Sequence, residues 1–172
     1  MELLFLPPEN YYLFDKIESH RNIYLFKTSH DVEYKVIFKP SPYIFGEDKP
    51  YASLLYEFSV LAQFAGPQSY VRDDLIAPTV VAIFLDFYNQ HDENVCFYIC
   101  DSADSRQYVR KRKFDSWFNA YNRGAFLKFE SDIKDTDDTW YPVAIIMRTD
   151  NVYRNDIAKA FSNLISGYND DK

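Results

Sequence analysis

Cys100 and Arg106 stand at the ends of a C-x5-R segment, a spacing that can hold a phosphate between a thiolate at a strand end and a guanidinium at a helix start. The intervening "DSADS" contains no Gly and two carboxylates. Both features oppose that chemistry, because the loop must aim successive backbone N–H groups at the anion and lower the thiol pKa. Without an activated Cys100 there is no nucleophile. The same stretch packs five cations, Arg106, Arg110, Lys111, Arg112 and Lys113, into eight residues of a chain whose formal net charge is -7. The pattern predicts a helix over about Asp104 to Asn122, whose 100° step per residue gathers Phe114, Trp117, Phe118 and Tyr121 into one stripe. Extended backward, that stripe passes through Arg110, Gln107 and Ala103, which turns one guanidinium and one amide inward beside Cys100 and Asp101. Arg106, Lys111, Arg112 and Lys113 spread over the flanks and the outside.

A solvated helix face accounts for the outward four, since each exposed ion pair is worth about 0–1 kcal/mol. A local patch for an anion or an acidic partner is the alternative. For Arg110, burial without a counter-charge would cost several kcal/mol. It therefore needs a carboxylate, with Asp86, Asp101 and Glu57 as candidates, or a ligand anion. Asp101, Arg106, Gln107 and Arg110 are the candidate ligand or partner contacts; no residue is assigned a catalytic role.

The remaining titratable groups assemble into nothing comparable. His20, His30 and His91 fall in or beside turns without metal-ligand pairing. Asp132, Asp135, Asp137 and Asp138 cluster in a hairpin loop that lacks the Gly and terminal Glu of an EF-hand. No metal and no cofactor is expected. Cys96 and Cys100 lie four residues apart on one strand, hence about 13 Å between Cα atoms, beyond the reach of a disulfide. Reduced thiols in a cytoplasm are the simplest account.

Around these residues the elements follow from periodicity. "NIYLFKTSHDVEYKVIF" reads as a hairpin, with Val32, Tyr34, Val36 and Phe38 alternating with polar residues. "YYLFDKI" reads as a strand before it, and Leu54 to Phe64 as one after it. "DDLIAPTVVAIFLDFYNQ" reads as a helix that is apolar on more than one side, with Pro78 in or near its first turn. "VCFYIC" reads as a central strand. "AFLKFES" and "WYPVAIIMR" form a hairpin, and a helix from about Tyr153 to Ser166 ends at Gly167 as a C-terminal cap. The order is βββ(β)-α-β-α-ββ-α, a single α+β domain over residues 1–172 built on a mostly antiparallel sheet.

The 172 residues include 15 Tyr and 15 Phe, more Tyr than an interior easily supplies with hydroxyl partners. Some Tyr are therefore expected at a groove, a protein partner or a homodimer contact. The acidic balance, with a pI near 4.9, excludes an overall electrostatic footprint for nucleic acid or anionic lipid. No apolar run approaches the ~20 residues that span a bilayer, and "MELLFLPPENYY" lacks the basic region and cleavage site of a signal peptide.

Three resemblances attach to these residues. The Cys100–Arg106 spacing resembles that of cysteine-dependent phosphatases, which implies phosphate-ester hydrolysis. The element order from about Asn22 to Arg148 resembles the GNAT acetyltransferase core, which implies an acyl-CoA ligand. In that family the turn before the first helix carries a Gly-rich motif for the pyrophosphate; here it reads "SYVRDDLIAP". "YICDSADSRQYVRKRKFDSWF", with "YLFKTSHDVEYKVIFKPSPYIF" and the helix after "RDDLIAPTV", is similar to a family of uncharacterised Bacteroidetes proteins. That likeness implies a bacterial, cytoplasmic protein and assigns no catalytic residue.

Overall fold

The computed structural model describes residues 8–17, 22–63, 72–100 and 104–170. Ten elements follow in chain order: β1 (Phe14–Ile17), β2 (Ile23–Lys27), β3 (Glu33–Pro40), β4 (Leu55–Gln63), α1 (Ile76–Gln90), β5 (Val95–Ile99), α2 (Gln107–Tyr121), β6 (Phe126–Lys134), β7 (Trp140–Arg148) and α3 (Arg154–Asp170). A short 3-10 turn, Ala52–Leu54, precedes β4. The strands form one sheet in the order β1-β2-β3-β4-β5-β7-β6. Every neighbouring pair is antiparallel except β4 with β5. The α+β class and the element order are those the periodicity predicts.

The alternation that marks β2 to β4 in sequence decides which side chains meet α1. Tyr24, Phe26, Val36, Phe38 and Phe58 are buried on one face, in a cluster with Val80, Ile83 and Phe87 of α1. Phe38 stacks on Phe87 with ring centroids 3.9 Å apart. The hairpin between β2 and β3 turns through Asp31 at φ 58. Thr28 Oγ1 accepts from the His30 and Val32 amides at 3.3 and 3.2 Å, which closes that turn.

β5 is apolar on both faces because both are covered. Cys96 and Tyr98 face α1 and α2, whereas Val95 and Phe97 join Leu55, Ile145, Met147, Ile157 and Phe161 beneath α3. α1 is buried nearly all round, with Val80, Val81, Ile83 and Tyr88 among its covered residues. α2 carries no buried residue at all.

One element boundary differs from expectation. Gly167 does not end α3, which continues to Asp170. The last turn is held by Asn169, whose Oδ1 accepts from the Lys134 amide and whose Nδ2 donates to the Asp132 carbonyl, both at 3.3 Å. Those two bonds tie the helix to the outer strand β6 and outweigh the roughly 1 kcal/mol that a helical Gly costs.

Candidate functional site

The stripe predicted on α2 exists, and Phe114, Trp117 and Phe118 turn toward the sheet as partly buried residues against the α1-side core. They roof a cavity instead of sealing a core. The cavity measures about 60 Å³. Its walls are apolar: Phe58 of β4, Val81 and Phe84 of α1, Tyr98 of β5, and Phe126 of β6 face the α2 rings across it. A space of that size matches about two water molecules, and without polar partners water gains nothing by entering.

The sheet opens at the same place. β4 and β5 pair in parallel only from Leu55–Glu57 to Val95–Phe97. Beyond that both strands continue, and the first residues past the pairing, Phe58 and Tyr98, each line the cavity.

Arg110 lies one turn before Phe114 on the same stripe. The expectation of a buried guanidinium is corrected, since its side chain is 40% exposed. Of the three carboxylates predicted for it, Asp86 and Glu57 are engaged elsewhere and Asp101 lies outside the described residues. Arg110 donates through both terminal nitrogens to Asp104, at 2.8 and 2.7 Å, in a bidentate clasp. Asp104 also accepts from the Arg106 amide at 3.1 Å, and Arg110 beside it holds its carboxyl below the usual value. Ser105, at φ 57, makes the bend that brings Asp104 back over the helix start. Asp86 instead takes the Tyr24 hydroxyl at 2.9 Å, and Glu57 lies 3.8 Å from Lys39.

Gln107 sits at the first position of α2, where its Nε2 donates to the Trp140 carbonyl at 3.4 Å and its buried Oε1 has no hydrogen-bond partner among the described residues. Arg106 is exposed at the helix N-cap. Asp101 lies outside the described residues. The structure thus brings Arg106, Gln107 and Arg110 together at the start of α2, a turn from the cavity.

Lys111 is the second correction. Expected on the solvated flank in loose ion pairing, it is only 25% exposed and is held by Asp115 at 2.6 Å and Glu130 at 3.3 Å. Lys128, from β6, bonds Asp115 and also Glu130, at 3.0 Å. Burial pushes the Asp115 carboxyl up, and the two ammonium groups overcome this and hold it below its ordinary value. Lys128 also lies 5.3 Å from the centroid of the Phe118 ring, which joins this ionic clamp to the cavity wall. Sequence reasoning missed Lys128 and Glu130. Their alternation with Phe126 on one face of β6 was the available signal.

Cys100 is buried, and its thiol is pushed up to about 11, by burial first and against the opposing pull of Arg110. Burial likewise pushes the Cys96 thiol up to about 12. Both are free thiols, and at neutral pH both are protonated and poor nucleophiles. At the start of α1, Asp73 Oδ1 accepts from the Leu75 amide at 3.0 Å, its Oδ2 takes the Tyr12 hydroxyl at 2.9 Å, and the Tyr12 amide donates to Thr79 Oγ1 at 2.9 Å. Among the described residues no group of three or more His, Cys, Asp or Glu could hold a metal ion. No helix there is long and apolar enough to cross a membrane.

Residues 72–163 match the model of a family of unknown function, DUF6169, a stretch that includes α1, β5, α2, β6, β7 and therefore nearly all of the cavity wall. No curated protein and no solved structure matches the chain.

Proposed function

We propose, from the premise that the chain belongs to DUF6169 and that this family carries no assigned activity, that the protein is a non-catalytic binding module whose ligand seat is the cavity under α2. The observation that carries this reading is a cavity walled by aromatic and aliphatic side chains beneath the one helix with no buried residue. The cavity takes the last carbons of a short acyl chain, whose remainder leaves through its open side, and apolar contact supplies about 0.8 kcal/mol for each methylene withdrawn from water. Arg106, Gln107 and Arg110 receive the polar end. An anionic group there takes over the hydrogen bonds that Asp104 now accepts. Asp101 belongs to the same contact region. The free thiols fit a reducing compartment such as a cytoplasm, and, protonated, they leave the phosphatase alternative without a nucleophile.

The second reading is an acyl-CoA binder of GNAT-like architecture. It is supported by the element order and by the early parting of β4 and β5 beside the cavity. Asp73, at the start of α1, repels a pyrophosphate there.

Titration of the Trp117 emission with hexanoate, hexanol and acetyl-CoA separates the two. The first reading expects a saturable shift with hexanoate, weakened several-fold by Arg110→Gln, and a shift with hexanol that Arg110→Gln leaves unchanged. Val81→Leu, which thickens the wall, weakens both. For acetyl-CoA at 100 times its dissociation constant the linkage gain of about 2.7 kcal/mol raises the melting temperature by roughly 5–10 °C. No saturable response to hexanoate or hexanol sinks the first reading, and no thermal shift with acetyl-CoA sinks the second.

A further inference from the structure

The two faces of the sheet are covered unequally. α1 and α2 lie over one face, whereas on the other α3 packs on Leu55, Val95, Phe97, Val143, Ile145 and Met147 of β4, β5 and β7. Over β1 to β3 on that second face no described helix lies. Phe14, Tyr24, Phe26, Tyr34 and Val36 point toward α1, so alternation turns their neighbours to the uncovered side. The pairing register aligns those neighbours in two rows across the strands. One row is Ile17–Ile23–Ile37, and the next is Asp15–Leu25–Lys35.

The first row places three Ile side by side, with Ile17 45% exposed at the outer strand. The second flanks Leu25 with opposite charges. Asp15 and Lys35 stand two strands apart, about 10 Å between backbones, and no ion pair joins them within the chain. Their arrangement is antisymmetric about β2, which is what a self-complementary surface requires.

We propose that this face is covered by the same face of a second copy of the chain, related by a two-fold axis that runs along β2. The axis exchanges β1 and β3. Ile17 then lies over the partner's Ile37, Ile23 and Leu25 meet their own equivalents, and Asp15 of each copy opposes the partner's Lys35. Sheets packed face to face sit about 10 Å apart, close enough for these long side chains to meet. The step in the surface fits the same operation, because each α3 layer then falls beyond the other copy's β1 edge, where there is no sheet to collide with. Lys27, which lands on the axis one row further, brings its own counter-ion, Asp31 at 2.9 Å. A patch three strands wide is small for a permanent dimer, so association is reversible and concentration-dependent. This interface is independent of the cavity under α2.

Sedimentation equilibrium over a range of concentrations, at low and high salt, tests it. The expected result is a monomer–dimer equilibrium weakened by salt. Asp15→Lys and Lys35→Asp each shift it toward monomer, and the double variant D15K/K35D restores it, with far-UV circular dichroism unchanged throughout. A mass that stays monomeric at every concentration overturns the proposal. So does a dimer indifferent to both single reversals, a higher oligomer, or a double variant that fails to recover association.

Discussion

Arg110 and Lys111 are adjacent in sequence and end in different electrostatic surroundings. Arg110 clasps Asp104 at the surface, where water screens the pair and its contribution to stability is small. Lys111 joins Asp115, Lys128 and Glu130 in a clamp between α2 and β6 whose members are more deeply placed, with Lys128 only 11% exposed. Removing the Asp115 charge leaves two ammonium groups, one of them poorly reached by water, to share the single carboxylate of Glu130. Asp115→Asn is expected to destabilise the protein by about 2 kcal/mol, the range of a charged hydrogen bond, read as a lower melting temperature at neutral pH. The sign of its pH dependence follows from a folded-state pKa below the ordinary 3.8. The stabilisation is complete above 3.8 and is lost as the pH falls through the lowered value. Thermal melts across an acid series should show the gap between native and variant proteins closing below pH 3.8; a gap that widens in acid contradicts this assignment.

At the scale of elements, α1 and α2 share a length of 15 residues and lie on the same side of the sheet, yet only α1 buries residues. The difference is composition: α1 is apolar around most of its circumference, whereas α2 confines its rings to one stripe and charges the remainder. α3 runs on through a glycine because its end is fastened to β6 by Asn169. Gly167 is helical with nothing within 4 Å of an added Cβ, so Gly167→Ala should stabilise the protein by about 0.5–1 kcal/mol. At roughly 2–4 °C per kcal/mol that is a rise of about 1–4 °C in melting temperature. An unchanged or lower value would mean that α3 ends at Gly167 after all.

Across the whole molecule, cohesion is concentrated where both sheet faces are covered. Val95, Ile145 and Met147 are fully buried in β5 and β7, between α1 and α2 on one side and α3 on the other. Native-state hydrogen exchange should therefore protect β5 and β7 most strongly and leave the α2 amides exchanging well before those of α1. Equal protection of the two helices would contradict the shallower burial of α2 over the cavity. The strands, the helices and their order were legible in the residues because they depend on spacing within one segment: the alternation of Tyr34, Val36 and Phe38, the stripe of Phe114, Trp117 and Tyr121. Arg110 shares that stripe, yet neither its 40% exposure nor its bond to Asp104 was legible, since Asp104 reaches it only through the bend at Ser105. Lys111 owes its half-buried clamp to Lys128 and Glu130, which sit on a strand that begins only after α2 has ended. Sequence alone determined the α+β architecture and which faces are apolar, because periodicity is a local property of the chain. Only the tertiary structure decided that a helix roofs a cavity beside a parted strand pair and that, among the described residues, half of one sheet face lacks a helix, because both depend on how separate elements divide a shared volume.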